Sequence, residues 1–370
     1  MPPPIPGAAG SRNEAFAKLA AESGLAAPEL QRLLSGFRRP SQPPPQAGQQ
    51  RAFDAPSSPS ATPNPEFAKA RLTGNAAKLT IGMATYDDYD GVYFTLQAIR
   101  LYHPEILGDV EFVVVDNNPH GPCGPALKDL GNWIENYRYI PKGEISGTAI
   151  RDWVFREAAC EFVLCIDCHV LVVSGALRRL IDYFQAAPDT IDLLQGPMVY
   201  DDLKGYATHF KPGWRDGMYG TWDTDPAGAD VDQPPFEIPM QGLGLFACRR
   251  NAWPGFNPAF RGFGGEEGYI HEKIRRRGGK VLCLPFLRWM HRFNRPLGTT
   301  YTNRWEDRVR NYLIGFRELG WNTDQVIEHF RTFLGETVWS AVVARLGPDV
   351  SPLAAPRSVE PAAAEDKARA

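Results

Sequence analysis

Between about Ala77 and Arg345 the chain alternates between two apolar rhythms. Leu79-Thr80-Ile81-Gly82-Met83-Ala84, Glu111-Phe112-Val113-Val114-Val115-Asp116 and Phe162-Val163-Leu164-Cys165-Ile166-Asp167 are short, nearly continuous apolar runs, as expected of strands covered on both faces. Gly91 to Tyr102 sets Val92, Leu96 and Ile99 on one helical face, and Thr148 to Ala158 and Gly175 to Gln185 also read as helices. Such alternation predicts an α/β fold with a mostly parallel, doubly wound sheet flanked by helices. Ligands in open sheets of this kind bind beyond the carboxyl ends of the strands, which marks Thr85 to Asp88, Asp116 to Asn118, and Asp167 to His169. Further on, a strand from Lys280 to Phe286 leads to Trp289-Met290-His291, and a helix is expected from about Asn303 with Trp305, Val309, Leu313 and Phe316.

The ends of the chain read differently. Of the 33 prolines, 13 lie in the first 65 residues, so 1–76 is expected to be a Pro-rich disordered arm. Within it, 13–39 carries Phe16, Leu19, Leu25, Leu30, Leu33, Leu34 and Phe37, enough for a short helical hairpin or docking segment. The stretch 346–370 returns to Ala, Pro and charge and reads as a disordered tail, which assigns the fold to 77–345. With 40 Lys+Arg against 43 Asp+Glu, overall charge does not tie the protein to nucleic acid or anionic lipid. No apolar run approaches the ~20 residues of a membrane span, and the amino terminus has no signal-like pattern, so a cytoplasmic location is expected. Six cysteines are too sparse for a disulfide framework and predict reduced, mostly buried thiols. Cys165-x-x-Cys168 has no second pair to complete a zinc site, and neither a Gly-x-Ser-x-Gly elbow nor a phosphate-binding Gly-Lys-Ser/Thr loop is present.

Candidate chemistry begins at Asp167-Cys168-His169. If strand geometry persists, Asp167 and His169 project to the same side, offering one oxygen and one nitrogen to a divalent ion such as Mn²⁺. Alone, such a triplet is more often a strand that ends in polar residues. It is accompanied by Gln241-Gly242-Leu243-Gly244, by Phe263-Gly264-Gly265-Glu266-Glu267 before a helix, and by His291 after a strand. With these blocks, Lys78 to Asn303 resembles the catalytic domain of polypeptide N-acetylgalactosaminyltransferases and, more broadly, GT-A glycosyltransferases related to family 2.

The resemblance implies a set of roles. Asp167, His169 and His291 would hold Mn²⁺ (or Mg²⁺) against the diphosphate of a UDP-sugar, and Arg151 would face the nucleotide-sugar or Asp167. Thr85, Tyr86 and Asp116 would grip uracil and ribose, with Asp88 and Asn118 on the same nucleotide-facing edge. Gly242 and Gly244 would line the donor pocket, and Glu266 would bind sugar hydroxyls. Beyond His291, a lid would bring Arg292, Arg295 and Tyr301 to the phosphates. Phe263 and Glu267 stand where the family block Trp-Gly-Gly-Glu-Asn has Trp and Asn, which leaves the donor sugar open. The implied activity is transfer of a hexose or N-acetylhexosamine to a hydroxyl of protein, glycan or hydroxymethylated pyrimidine in DNA, with retention at the anomeric carbon. An inverting route with Glu266 or Glu267 as base, and a non-catalytic binding module, are the alternatives. From Arg261 to Arg310 there are 12 Lys+Arg against 5 Asp+Glu, a surplus suited to a diphosphate, an acidic acceptor or nucleic acid. Without the membrane anchor and lectin domain of animal polypeptide transferases, a secretory mucin-type role is not expected.

Overall fold

In the computed structural model the described residues are 77–145, 147–293, 301–347 and 350. The expected arm 1–76, its segment 13–39 and nearly all of the tail 346–370 lie outside them. The chain opens with β1 (Leu79–Thr85), α1 (Tyr89–Tyr102), β2 (Val110–Asp116), α2 (Gly124–Asp129) and β3 (Tyr137–Pro141). A 3-10 turn at Thr148–Ile150 runs into α3 (Arg151–Glu157), followed by β4 (Phe162–Asp167), β5 (Val170–Val172) and α4 (Ala176–Ala186). Then come β6 (Leu193–Gln195), β7 (Met198–Val199), β8 (Tyr206–Ala207), β9 (His209–Arg215), β10 (Met218–Asp223), β11 (Phe236–Glu237) and β12 (Leu245–Arg249). The last elements are α5 (Glu267–Arg276), β13 (Val281–Cys283), β14 (Trp289–His291), α6 (Trp305–Glu318) and α7 (Asp324–Leu346), which is kinked at Gly335.

Eight strands form one sheet in the order β11-β13-β6-β12-β4-β1-β2-β3. Its β3-β2-β1-β4 half is wholly parallel, whereas β12 runs antiparallel to both β4 and β6. Alternation along the strands divides the core between two faces. Ile81, Met83, Leu164 and Ile166 pack with Val92, Leu96 and Ile99 of α1 and Leu177, Leu180 and Phe184 of α4. Val113, Val115, Val163 and Cys165 pack with Val154 and Phe155 of α3 and Ile270 and Ile274 of α5. This is the doubly wound α/β arrangement expected from the pattern, with helices on both faces. A third apolar cluster joins α6 to α7 around Tyr312, Phe316 and Phe330.

Two expected boundaries move for identifiable reasons. The helix expected over Thr148 to Ala158 starts as a 3-10 turn and ends at Glu157. The strand expected over Lys280 to Phe286 spans only Val281–Cys283, because Pro285 has no N–H to extend the ladder and the backbone turns from Leu284 to Leu287. Register aligns the strand ends: Thr85 lies beside Asp116 and Ala84 beside Asp167. After β3 the chain crosses to the far side of β1 to form β4, so the crevice between the carboxyl ends of β1 and β4 is the topological switch point. All six cysteines are free thiols, and all except the half-buried Cys123 are buried.

Candidate active site

The β1–α1 connection forms one wall of that crevice. Asp87 sits in the left-handed region at φ 48°, where its side chain accepts a 2.6 Å hydrogen bond from Asn118 Nδ2. Asp88 caps α1 by accepting from the Gly91 N–H at 3.0 Å. A Cβ on Gly91 would come within 2.6 Å of the Cys168 carbonyl oxygen and 2.7 Å of Asp88 Oδ2, so a glycine lets the first turn of α1 lie against the β4–β5 turn. Thr95, one turn further along α1, fastens that turn: its hydroxyl accepts from Val170 N–H at 3.1 Å and lies 3.2 Å from the Cys168 carbonyl.

The strand ends at Asp167, and Cys168 and His169 lie in the turn. The expected alternation of Asp167 and His169 along a continuing strand is therefore not what brings them together; the turn does. His169 Nε2 lies 3.1 Å from His291 Nε2, which in turn lies 3.3 Å from Asp167 Oδ2. His291 arrives from β14, which pairs with β5 opposite Val170. A Cβ on Gly244 would fall 2.9 Å from the Trp289 ring and 3.4 Å from His291 Cδ2. The smallness of Gly244 thus serves the packing of β14, while its carbonyl accepts from Asp167 N–H at 2.9 Å.

Arg151, at the start of α3, donates from Nη2 to Asp167 Oδ1 at 2.8 Å and holds Nη1 3.8 Å from Glu266 Oε1. The alternative partners Asp152 and Glu157 are taken elsewhere, by Trp253 and by Arg138. Burial alone would raise the Asp167 pKa, but Arg151, His291 and His169 outweigh it and hold the carboxyl far below the usual range. The donor set fits a divalent cation. Bonds of about 2.1 Å place adjacent ligands of an octahedron roughly 3.0 Å apart, close to the separations seen here. One oxygen and two imidazole nitrogens suit Mn²⁺. His291 Nδ1 has no hydrogen-bond partner among the described residues, as though the ring were aimed by its other nitrogen.

Opposite this group, Glu266 immediately precedes α5 at the end of a loop held by α6. Gly264 and Gly265 take φ of 98° and 92°, open to glycine at little cost. The side chain of Asn311, fully buried in α6, donates to the carbonyls of Arg261 (2.8 Å) and Gly264 (2.9 Å) and accepts from Arg261 N–H (3.0 Å). Asn311, Thr95 and Gly91 were not candidates from sequence, since each acts through tertiary contacts that no local pattern displays.

A cleft of about 1320 Å³ connects these parts. Its walls include Thr85, Tyr86, Asp88, Asn118, Arg151, Asp167, His169, Gly242, Gly244, Glu266, His291 and Tyr301, gathering most of the residues singled out in the sequence. Tyr301 packs its ring 5.4 Å from that of Phe263. Two expectations meet a different arrangement. Asp116 is 1% exposed, its oxygens taken by Asn118 N–H and the Tyr139 hydroxyl, and it is not on the cleft wall. Arg292 turns back to both Asp88 oxygens at 3.1 and 3.2 Å. Gly242, on the cleft wall, has Phe210 and Trp222 at ordinary contact distance. Arg295 lies outside the described residues, as does the side chain of Glu267.

The basic surplus of 261–310 is largely used within the protein. Arg275, Arg276, Arg288 and Arg310 donate to the carbonyls of Ile238, Leu319, Ala229 and Leu346, and Arg261, Lys273 and Lys280 pair with Asp307, Glu318 and Glu237. No helix among the described residues is long and apolar enough to cross a membrane.

Residues 80–252 match the model of glycosyl transferase family 2. A search of curated proteins found no match. Among solved structures, the crystal structure of GalNAc-T7 with UDP, GalNAc and Mn2+ is 17% identical with a TM-score of 0.51, over 66% of this chain and 48% of that one. This chain thus spans about half the length of that relative. The crystal structure of S. aureus TarS 1–349 is 12% identical, TM-score 0.42, over 74% and 76% of the two chains. Its complex with UDP-GlcNAc is 13% identical at the same TM-score, over 74% and 77%. The likeness at these identities is one of fold: the described chain has the GT-A fold, and its segment from β1 to β12 is similar to glycosyl transferase family 2.

Proposed function

We propose that this domain transfers a hexose or N-acetylhexosamine from a UDP-sugar to a hydroxyl acceptor, with Asp167, His169 and His291 as the ligands of Mn²⁺ (or Mg²⁺). The observation that carries the reading is the convergence of three donor atoms, from the end of β4, the next turn and β14, at separations of 3.1 and 3.3 Å beside the switch-point crevice. When bound, the cation supplies a fixed positive charge to diphosphate oxygens whose negative charge grows as the glycosidic bond breaks. Arg151 keeps Asp167 ionised and turned towards the two imidazoles. Thr85, Tyr86 and Asn118 wall the part of the crevice that receives the base and ribose in this reading. Glu266, 2% exposed and facing Arg151, is better suited to binding a sugar hydroxyl than to meeting an incoming acceptor as general base. That favours retention, with the leaving phosphate taking the acceptor proton, over the inverting route. Because the basic segment is so largely engaged by protein groups, a protein or glycan hydroxyl is preferred to DNA as the acceptor.

The test is UDP-sugar turnover with Mn²⁺ in the wild type, Asp167→Ala and His291→Ala, followed by NMR of the product anomer. A loss of about 100-fold or more is expected in both variants. Equal turnover in all three proteins would sink the reading, and turnover in none would favour the non-catalytic module. A β-configured product from an α-configured donor would replace retention by inversion.

A further inference from the structure

Asp88 has a task that neither the nucleotide nor the α1 cap explains. Its Oδ2 lies 3.0 Å from His169 Nδ1, on the side of the ring opposite the nitrogen that faces His291 and Asp167. We propose that Asp88 is the positioning residue of the centre: it accepts a hydrogen bond from the Nδ1–H of His169, fixing the ring and the tautomer whose Nε2 carries no proton. The inference rests on the metal reading above.

Asp88 is placed for this task and spent on it. Oδ1 accepts from Gly91 N–H at 3.0 Å and from Arg292 at 3.2 Å, while Oδ2 faces His169, Arg292 at 3.1 Å and the Cys168 thiol at 3.5 Å. Asp88, Cys168 and His169 also lie close enough together to suggest a second cation site. The Arg292 guanidinium already supplies a cation to both carboxylate oxygens, which leaves Asp88 an orienting group for His169 and not a ligand. The placement is built in from both sides: left-handed Asp87, held by Asn118, turns the chain into the cap, and Gly91 keeps α1 against the carbonyl of Cys168. A carboxylate behind a ligating imidazole raises its basicity and selects its tautomer, and losing such a partner typically weakens metal binding 10–100-fold.

Asp88→Asn isolates this role. Its amide oxygen still caps Gly91, while its NH₂ cannot accept from Nδ1–H and instead favours the tautomer protonated at Nε2, which opposes metal. Two measurements on the full chain decide the matter. Nitrogen NMR of ¹⁵N-histidine-labelled, metal-free protein is expected to show the His169 proton on Nδ1 in the wild type and a shift towards Nε2 in Asp88→Asn. Calorimetric titration with Mn²⁺ alone is expected to show binding about 10–100-fold weaker in the variant. An Nε2 proton on His169 in the wild type would overturn the proposal, and that reading needs no variant to fold. So would Mn²⁺ binding by Asp88→Asn as tight as the wild type's. A wild type that binds no Mn²⁺ but carries the Nδ1 proton would sink the metal reading while leaving the Asp88–His169 pair standing.

Discussion

Arg151 is 8% exposed and flanked by two carboxylates, those of Asp167 and Glu266. Desolvation of the guanidinium works against its charge, and the two anions more than offset it. Removing the cation would leave Asp167 charged in the interior with no comparable partner. Arg151→Met should therefore destabilise the metal-free protein by about 3 kcal/mol, the usual cost of breaking a buried pair from one side. Urea denaturation measures this, and a loss below about 1 kcal/mol would mean that water already screens the pair. At this scale the sequence was informative where a residue type carries its own chemistry. Asp167, His169, His291, Arg151 and Glu266 all stand on the cleft wall. It misled at Asp116, whose strand-end position is right but whose carboxylate is turned to Asn118 and Tyr139, a rotation that no sequence pattern encodes.

Elements are positioned by one another, and α6 shows how. Asn311 supplies three hydrogen bonds to the loop that delivers Glu266, all from a site with no access to water. Asn311→Ala would strand the buried Gly264 carbonyl and the half-buried carbonyl and N–H of Arg261, a cost of roughly 2 kcal/mol. Turnover should fall with stability because Glu266 loses its support. A thermal scan and a turnover assay check both halves, and an unchanged melting temperature would contradict the account. Three strands of the parallel half, β1, β2 and β4, were legible because they are nearly continuous apolar runs, a consequence of being covered on both faces. The antiparallel insertion of β12 was not. Its direction depends on how the chain returns after the β9–β10 hairpin, and nothing within Leu245–Arg249 states it.

For the molecule as a whole, buried histidines make stability depend on pH. Burial, and after it Arg275, hold the His271 pKa well below the ordinary value near 6.5. Burial also lowers that of His103, against weaker opposing effects of the Val172 carbonyl and Glu105. Below about pH 6.5 the unfolded chain takes up these protons and the folded chain does not. Stability is then level above that pH and falls as acidity grows, by up to about 1.4 kcal/mol per unit for each histidine. Urea midpoints of metal-free protein at about pH 7.5 and about pH 5.5 should differ accordingly. The gap should shrink in His271→Gln, and identical midpoints in the wild type would refute the assignment.

The free cysteines carry a last implication. Burial pushes the Cys160 thiol up to about 11 and Cys165 up to about 12, and Cys168, Cys248 and Cys283 are raised too. Only Cys123 is partly accessible. A thiol-directed reagent would tag that residue first and the strand thiols Cys165, Cys248 and Cys283 only when the sheet opens, which gives the wild-type protein an internal timer of its own unfolding, readable by mass spectrometry without any engineered probe.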